Sequence, residues 1–426
     1  MTMNNTLVVQ QSNCPPSCTL CVEACSGRNG GNGQAVIEKL DLPEIGYHSL
    51  LLCNQCSQPE CAAVCPTGAL SHPASGPTVL DRARCVGCGI CSLACPYGGV
   101  HLQAKEHKSS KCDFCGDAPQ CVKACPNGIL EYKKAEVIAE HLNEDVVSPG
   151  LPYCAGCGME LIDRFTLRVL GQNIVLFGAP GCNVLGAKAK IPYYGSLMTN
   201  AVSSATGVSR YFKHIQRDTI CVAIIGDGAT ADIGFGALSA AAERGERILY
   251  ICYDNEAYMN TGIQRSSTTP FGSCTNTTQV GSTGRGKQGN AKNVALLMAF
   301  HNIQYVATAT LAYPEDYMRK LLKAREAVAE GMAYIHVLSP CPTGWKSKTA
   351  DTVAVTKAAV ETNYFPLWEA EKGDIKFTHV VQKTAPIEHF TKYMERFAHL
   401  TEMEIAKLQK HVDGSYEQIR RIASTR

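Results

Sequence analysis

The sequence predicts an α/β protein with two unequal parts, a small α+β domain rich in cysteine and a larger doubly wound domain. Two observations support this prediction. Sixteen of the 23 cysteines in the 426-residue chain lie between Cys14 and Cys125. Beyond residue 150 the sequence changes to alternating strand and helix patterns, which are typical of a parallel sheet covered by helices. We expect a cysteine-rich domain over 1–140, a linker over 141–150, a main domain over 151–350 and a C-terminal extension over 351–426.

Composition and charge exclude several classes of function. The chain is 45% apolar and 18% charged, with a formal net charge of +2. It therefore has no basic footprint for nucleic acid, and it has no apolar stretch long enough for a membrane span. The N-terminus lacks the basic and apolar segments of a secretory signal peptide. We expect a cytoplasmic protein whose reduced cysteines serve as metal ligands and do not form disulfides.

Four sets of four cysteines repeat within the first domain. The third set, Cys85-x2-Cys88-x2-Cys91-x3-Cys95-Pro96, has the spacing of bacterial [4Fe–4S] proteins, in which the cysteine before proline binds a neighbouring cluster. Structural zinc instead uses two Cys-x2-Cys pairs separated by a longer loop. The first set departs most from the pattern, so a zinc knuckle or free thiols remain alternatives there. The other sets are Cys14, Cys18, Cys21 and Cys25; Cys53, Cys56, Cys61 and Cys65; and Cys112, Cys115, Cys121 and Cys125.

This repeat resembles the four-cluster electron-transfer subunits of formate, hydrogenase and sulfoxide-reductase complexes. The resemblance implies that the last cysteine of each set binds the cluster of a partner set, and that the two outer sets and the two inner sets are the partners. A row of such clusters conducts electrons. The implied ligand groups are Cys14, Cys18, Cys21 and Cys125; Cys112, Cys115, Cys121 and Cys25; Cys53, Cys56, Cys61 and Cys95; and Cys85, Cys88, Cys91 and Cys65.

Two polar motifs of the main domain lie at the ends of predicted strands. The apolar run 219–225 stops at Gly226-Asp227-Gly228, and the run 248–253 ends in Asp254-Asn255. A small-residue helix over about 232–244 separates them, so the segment forms a βαβ unit, whose ligands bind at the carboxyl ends of the strands. Carboxylate and amide oxygens suit Mg²⁺, and the glycines let phosphate groups approach the backbone.

This motif pair resembles the thiamine-diphosphate motif, in which Gly-Asp-Gly is followed after about two dozen residues by an Asn pair. The resemblance implies Mg²⁺ ligands from Asp227, Asn255 and the backbone carbonyl of Ala257, with Gly226 and Gly228 beside the diphosphate. The segment Asn260-Thr261-Gly262-Ile263-Gln264 is similar to the Asn-Thr-Gly-Gly-Gln of pyruvate:ferredoxin oxidoreductases, although Ile263 replaces the second glycine. There, Thr261 and Gly262 would contact the diphosphate and Asn260 would face the reacting centre.

Four further cysteines extend the resemblance to nearly the whole chain. Cys154 and Cys157 in Cys-Ala-Gly-Cys-Gly, Cys182, and Cys341 in Ser-Pro-Cys-Pro resemble those that hold the cluster closest to thiamine in 2-oxoacid:ferredoxin oxidoreductases. The implied fold class is a doubly wound thiamine-diphosphate-binding fold preceded by a small α+β polyferredoxin domain. The implied cofactors are thiamine diphosphate, Mg²⁺ and five [4Fe–4S] clusters.

The resemblance implies the β-type subunit of a 2-oxoacid oxidoreductase, which decarboxylates a 2-oxoacid oxidatively and transfers the acyl group to coenzyme A. Expected partners are α-type and γ-type subunits, the first supplying a glutamate to the cofactor, and ferredoxin or a flavin subunit that reduces NAD. Tyr194-Gly195-Ser196 stands where some members have His-Gly-Arg, so the substrate stays open, an aryl 2-oxoacid included. Open alternatives are an electron-transfer subunit with a degenerate thiamine domain, a non-oxidative thiamine-dependent decarboxylase and a zinc-rich scaffold.

Several weaker features complete the sequence. Gly284-Arg-Gly286-Lys-Gln-Gly289 matches Gly-x-Gly-x-x-Gly, but no predicted strand precedes it, so we expect no dinucleotide site. The polar stretch 266–290 is an active-site or partner-facing loop, with a plain mobile loop as the alternative. Cys221 and Cys252 are predicted core thiols, and Cys274 has no assigned role. An amphipathic C-terminal helix is predicted from Met403, Ile405, Leu408, Val412 and Ile419.

Overall fold

The computed structural model describes residues 4–9, 14–15, 17–28, 36–42, 47–56, 58–73, 77–103, 106–135, 142–148, 150–183 and 189–424. By its contacts the chain divides into two compact units, Met1–His141 and Leu142–Arg426. No helix in the described ranges has the length and apolar character needed to cross a membrane.

The first unit consists of short helices and four antiparallel strand pairs, β1–β8, β2–β3, β4–β5 and β6–β7. Its strands are β1 (Asn4–Val9), β2 (Glu38–Leu42), β3 (Tyr47–Leu51), β4 (Leu70–Ser71), β5 (Val79–Leu80), β6 (Val100–Gln103), β7 (Lys108–Lys111) and β8 (Leu130–Ala135). Its helices are α1 (Leu20–Arg28), α2 (Glu60–Ala63), α3 (Ile90–Ala94), α4 (Phe114–Asp117) and α5 (Gln120–Ala124).

Cysteines form part of the two small apolar cores of this unit. One core joins Cys21 and Cys25 to Cys121, with Leu7 and Leu130 from the paired strands β1 and β8. The other joins Cys61 to Cys91, with Leu70 and Val100. The outer sets and the inner sets thus share a core each. Cores this small stabilise a fold weakly, which is why small domains commonly depend on metals or other cross-links.

The second unit is built on an eight-stranded sheet with the order β10-β9-β11-β12-β14-β13-β15-β16. Neighbouring strands from β10 to β13 run parallel, and β15 and β16 are antiparallel additions at one edge. The strands are β9 (Ile174–Gly178), β10 (Tyr193–Gly195), β11 (Ile220–Gly226), β12 (Ile248–Asp254), β13 (Tyr305–Thr310), β14 (Ala333–Leu338), β15 (Trp368–Glu371) and β16 (Asp374–Phe377). The helices are α6 (Met159–Leu170), α7 (Ala201–His214), α8 (Phe235–Glu243), α9 (Val294–Phe300), α10 (Pro314–Ala327), α11 (Pro342–Trp345), α12 (Thr352–Glu361), α13 (Glu388–Thr391) and α14 (Glu402–Ser424).

The predicted βαβ unit is present, with one irregularity. Strands β11 and β12 begin and end within one residue of the predicted runs, and Cys221 and Cys252 are buried inside them. The predicted helix over 232–244 is divided into a π-helical turn, Ala229–Ile233, and α8. The amide of Gly234 donates to the carbonyl of Ala229 at 2.8 Å, which closes the wider turn. This turn directly follows the Gly-Asp-Gly segment, where π-turns often accompany function.

The predicted linker and the predicted C-terminal extension both pack on the main domain. Val146 and Val147 of the predicted linker are buried, and Val147 forms a bridge with Ala189. At the other end, β15 and β16 extend the sheet, and α14 buries Leu408, Val412 and Ile419 on the body of the unit. Met403 was wrongly placed on that buried face, because it is 82% exposed in the first turn of α14.

Candidate functional site

A cleft opens where β9, β11 and β12, three neighbouring parallel strands, reach their carboxyl ends. This is the position at which doubly wound sheets bind ligands. A methyl group at Gly228 would lie 2.5 Å from Cε1 of Tyr258, so a glycine is required at that point of the wall. Gly262 does not line the cleft, whereas Met259, Asn260 and Thr261 before it do. The lining residues are Ala179, Pro180, Gly181, Cys182, Met198, Gly226, Asp227, Gly228, Ala229, Tyr253, Asn255, Ala257, Tyr258, Met259, Asn260 and Thr261.

Three polar atoms converge at the inner wall of this cleft. One amide atom of Asn255 lies 3.0 Å from Oδ1 of Asp227 and 2.9 Å from the carbonyl oxygen of Ala257. If that atom is nitrogen, it donates hydrogen bonds to both oxygens; if it is oxygen, three oxygens face one another and require a cation between them. Adjacent ligands of an octahedral Mg²⁺ with bonds of 2.0–2.1 Å lie about 2.9 Å apart. The three residues therefore fit a Mg²⁺ site with the Asn255 carbonyl turned inward.

The charges around these atoms also fit a cation. Asp227, Asp254 and Glu256 are all buried. Asp227 lines the cleft, and Asp254 and Glu256 are the sequence neighbours of Asn255, which also lines it. Glu256 forms a buried salt bridge with Arg396, and Asp254 Oδ2 lies 2.9 Å from Nε2 of His336. Asp227 forms no salt bridge among the described residues, and burial together with the Asp254 carboxylate raises its pKa well above the usual range. A divalent cation would supply the positive charge that the buried Asp227 lacks.

A hydroxyl from the polar loop 266–290 links two of these carboxylates. Thr268 Oγ1 lies 2.9 Å from Oδ2 of Asp227 and 2.9 Å from Oδ1 of Asp254. Asp254 in turn contacts His336, whose Nδ1 lies 2.7 Å from the hydroxyl of Tyr334. A chain of buried polar groups thus orients Asp227 from behind. The loop belongs to the site, a role that its sequence left open, and no spacing signal in the sequence identified Thr268 or His336.

The segment after β12 is held in a strained conformation. Ile263 has a φ of +63°, in the left-handed region that favours glycine, and Glu256 has the same φ. The resembled motif has glycine at the position of Ile263, so the replacement keeps the backbone geometry at a cost of about 1–2 kcal/mol. Thr261 donates to Oε1 of Gln264 at 2.7 Å, and Asn260 and Thr261 lie exposed at the lip of the cleft. Such strain is typical of ligand-binding segments.

Cys182 lines the same cleft, and three further cysteines are close enough to interact electrostatically with it. Burial raises the pKa of Cys182, and the neighbouring thiols of Cys341, Cys157 and Cys154 and the carboxylate of Asp227 add to the shift, which brings the pKa to about 12. The amide of Gly158 donates to the carbonyl of Pro340 at 3.5 Å, which joins the two segments that carry three of these cysteines. Four thiolates so close together require cationic metal, and Cys182 is also part of the wall that holds Asp227. The described group fits an iron–sulfur cluster at the cleft.

The structure of the first unit also brings cysteines from different sets together. The side chains of Cys14, Cys18, Cys21 and Cys125 line one small cavity, and those of Cys65, Cys85, Cys88 and Cys91 line another. Burial raises the pKa of Cys61 to about 11 and that of Cys121 to about 12. Neighbouring thiols contribute to both shifts: Cys53, Cys95 and Cys91 act on Cys61, and Cys25, Cys115 and Cys21 act on Cys121.

Zinc would need ligands in a different arrangement. Throughout the described ranges, no three His, Cys, Asp or Glu side chains converge as they would around a single metal ion. In a [4Fe–4S] cluster each thiolate binds a different iron, so the four sulfur atoms lie farther apart than the ligands of a single zinc ion.

A repeated hydrogen bond stabilises the last thiolate of every set, a feature that the cysteine spacing did not predict. These backbone amides offset part of the cost of burying a charged sulfur. For Cys65 and Cys125, burial raises the pKa, but the backbone hydrogen bonds outweigh it and the net pKa is lowered. The donors are Val36 to Cys25 at 3.4 Å, Leu70 to Cys65 at 3.5 Å, Gly99 to Cys95 at 3.3 Å and Ile129 to Cys125 at 3.3 Å.

Comparison with known proteins matches both units to families. Residues 186–337 match the C-terminal TPP-binding domain of thiamine pyrophosphate enzymes, and residues 47–135 match a 4Fe-4S dicluster domain. The chain is 40% identical over 422 residues to the NADH-dependent phenylglyoxylate dehydrogenase subunit beta of Aromatoleum evansii, covering 95% of both chains.

Two further relatives match about two thirds of the chain. The pyruvate synthase subunit PorB of Methanothermobacter thermautotrophicus is 45% identical over 284 residues, covering 65% of this chain and 98% of that protein. The ketoisovalerate oxidoreductase subunit VorB of Pyrococcus abyssi is 39% identical over 287 residues, covering 63% of this chain and 91% of that protein. The chain belongs to the thiamine-diphosphate-binding beta subunits of the 2-oxoacid:ferredoxin oxidoreductase family, with a ferredoxin-like 4Fe-4S domain at its N-terminus.

Proposed function

We propose that the chain is the subunit in which a 2-oxoacid is oxidatively decarboxylated to an acyl-CoA, and that five [4Fe–4S] clusters bound to the chain carry the electrons away. The observation that carries the proposal is the position of Cys182, which lines the same cleft as Asp227. An iron–sulfur cluster held in part by Cys182 would lie next to the cofactor site and would accept the electrons that remain after decarboxylation, in competition with protonation. This position favours oxidation over simple decarboxylation.

The residues of the cleft have separate tasks in the proposed reaction. Asp227, Asn255 and the carbonyl of Ala257 hold Mg²⁺, and the backbone at Gly226 and Gly228 leaves room for the diphosphate. When bound, thiamine diphosphate supplies the nucleophile and the electron sink for decarboxylation. Thr261 and Gly262 would contact the diphosphate, and Asn260 at the lip of the cleft would face the reacting centre. Thr268 keeps Asp227 oriented toward the metal.

The remaining sixteen cysteines form the electron path. We assign one cluster to each group that shares a cavity or a charge interaction, and the fifth to Cys154, Cys157, Cys182 and Cys341. In this assignment each cluster is bound by three cysteines of one set and by the last cysteine of the partner set. Two clusters therefore join the two sets of each pair. Twenty thiolates need a reducing compartment, which supports a cytoplasmic location.

The chain works with partners in this proposal. An α-type subunit contributes a glutamate to the aminopyrimidine ring and much of the substrate pocket, and a γ-type subunit completes the complex. Glu256 lies near the cleft, but it is committed to Arg396 in a buried salt bridge and is not available for that role. The relative that matches 95% of the chain is named for phenylglyoxylate, so we propose an aryl 2-oxoacid as substrate. Tyr194, half exposed beside Phe177, lies where other members have histidine.

Replacement of Asp227 tests the proposal. The purified complex with Asp227→Ala should lose substrate-dependent cluster reduction and thiamine diphosphate binding, while its N-terminal clusters keep their iron and their reduction by dithionite. Asp218→Ala, which changes an exposed aspartate in the same unit, is the matched control and should behave as wild type. Unchanged turnover in Asp227→Ala would refute the Mg²⁺ assignment. If the wild-type complex contains iron but binds no thiamine diphosphate, the chain is an electron-transfer subunit and not the site of decarboxylation.

A further inference from the structure

The third cysteine set differs from the other three in what it exposes. Of the sixteen N-terminal cysteines, all within the described ranges, Cys88 is exposed and the others are buried or half-buried. Around it, Val86 is 68% exposed, Ile90 is 44% exposed and Leu93 is 89% exposed. Val86 and Cys88 both line the cavity shared by the cysteines of this cluster. Ile90 and Leu93 are three residues apart on α3 and therefore lie on the same face.

The internal repeat shows that the fold does not require these apolar side chains. Leu93 stands two residues after the third cysteine of its set, and that position is exposed in every set. The other sets have a charged or small residue there, namely Glu23, Ala63 and Lys123. At the position of Val86 the second and fourth sets have Asn54 and Asp113. Three large apolar groups in contact with water at a single cluster are therefore a local feature that folding does not explain.

The rim of the patch carries positive charge. Arg82 and Arg84 are exposed in the segment that enters Cys85, and Lys108 acts electrostatically on that cysteine. Arg82 is paired with Glu106, Arg84 donates to the backbone carbonyl of Thr67, and the exposed Asp81 accepts from the amide of Ala83, so the positive charges of Arg84 and Lys108 exceed the negative charge of Asp81. A small apolar centre with a basic rim suits a partner with an acidic rim, and such charge complementarity accelerates encounter.

We propose that Val86, Ile90 and Leu93 form the docking surface for an acidic, diffusible electron-carrier protein that takes electrons at the exposed Cys88. The proposal rests on the electron path described above. Three side chains cover far less than the area of about 1,600 Å² that a standard stable interface buries, so the contact is transient, as electron-transfer encounters are. The carrier presents an apolar surface over its own redox centre, and the electron leaves the cluster of Cys85, Cys88, Cys91 and Cys65 for that centre.

The test replaces each side chain by the residue that the fourth set carries at the same position. The variant is Val86→Asp, Ile90→Gln and Leu93→Lys in the complete holo-complex. The complex is reduced photochemically, so that the result does not depend on the 2-oxoacid reaction, and then mixed with an oxidised acidic two-cluster bacterial ferredoxin. Electron transfer to ferredoxin should fall at least about tenfold, while transfer to methyl viologen should stay within about twofold of wild type. Wild-type transfer to ferredoxin should also slow as ionic strength rises.

A matched control places similar changes at another cluster. Asn54→Asp with Ala63→Lys should transfer electrons to ferredoxin at the wild-type rate. If the triple variant loses iron, Leu93→Ala is measured in its place, because Ala63 shows that the position accepts alanine and the change adds no charge. Equal rates for wild type and variant would overturn the proposal, as would equal loss with ferredoxin and with methyl viologen. A wild-type complex that reduces NAD⁺ but not ferredoxin, or that dimerises through Leu93, would also overturn it.

Discussion

Thr268→Val removes one hydroxyl from behind the proposed metal site and keeps the shape of the side chain. The hydroxyl lies 2.9 Å from a carboxylate oxygen of Asp227 and 2.9 Å from one of Asp254, and the residue is 3% exposed. The hydroxyl has a single proton, which it shares between the two oxygens, and valine removes this donor from both of them. The two carboxylates then repel each other directly, and Asp227 is free to turn away from Asn255 and Ala257.

The expected size of the effect follows from the burial. A hydrogen bond to a charged group contributes about 1.5–3 kcal/mol, which corresponds to a factor of about 10–100 in a binding equilibrium. Loss of a group that orients a metal ligand typically weakens metal affinity by a similar factor. We therefore expect the Mg²⁺ concentration needed for half-saturation with thiamine diphosphate to rise about 10–100-fold, with a smaller effect at saturating Mg²⁺.

The assay is calorimetric titration of the anaerobic complex with thiamine diphosphate at a series of fixed Mg²⁺ concentrations. Thr268→Ser keeps the hydroxyl and should retain most of the wild-type Mg²⁺ dependence. Iron content reports whether the rest of the chain is intact. An identical Mg²⁺ dependence for Thr268→Val and wild type would refute the inference that Thr268 orients Asp227, and equal losses for the valine and serine variants would point to packing instead.

Three further predictions concern buried or cluster-facing groups. Arg396→Met leaves Glu256 buried without its salt bridge and should lower the free energy of unfolding by about 3–5 kcal/mol, whereas the double variant with Glu256→Gln should recover much of it in thermal melts. Burial raises the pKa of Asp163 to about 7, so the folded chain holds a proton there that the unfolded chain releases above about pH 4. Stability is therefore lost as the pH rises from 4 to 7, and Asp163→Asn should gain stability over wild type at pH 8 but not at pH 4; equal melting differences at both values would contradict this. Lys111 Nζ lies 2.9 Å from the sulfur of Cys53, so Lys111→Met should lower the midpoint potential of that cluster in an EPR-monitored titration, while the exposed Lys123→Met should not.

The sequence predicted the parts of the molecule that depend on local pattern. The strands β11 and β12 are continuous apolar runs that end at Gly226 and Asp254, and a parallel βαβ unit brings those ends together without further information. The cysteine spacing likewise indicated clusters, because short fixed spacings wrap a single metal group. Burial of Leu408, Val412 and Ile419 followed from helical periodicity. Met403 is not on their face, because at about 100° per residue it lies about 140° from Leu408 around the helix.

What the sequence could not predict depends on contacts between distant segments. Thr268 reaches Asp227 across 41 positions, and Arg396 reaches Glu256 across 140. No rule of sequence spacing predicts either pair, because the conformations of the loop and of the C-terminal segment bring the residues into contact. The backbone amides that donate to the last cysteine of each set were missed for another reason: they depend on the path of the backbone after that cysteine and not on side-chain identity.

Substrate-driven reduction of the clusters tests the central claim most directly. The purified anaerobic complex with bound thiamine diphosphate and Mg²⁺ is mixed with phenylglyoxylate and coenzyme A, without an external acceptor, and its reduced [4Fe–4S] signals are counted by EPR against total iron. The account predicts about 20 iron atoms per chain and reduced clusters that appear only when the 2-oxoacid is present. Release of CO₂ and free aldehyde with the clusters still oxidised would contradict it.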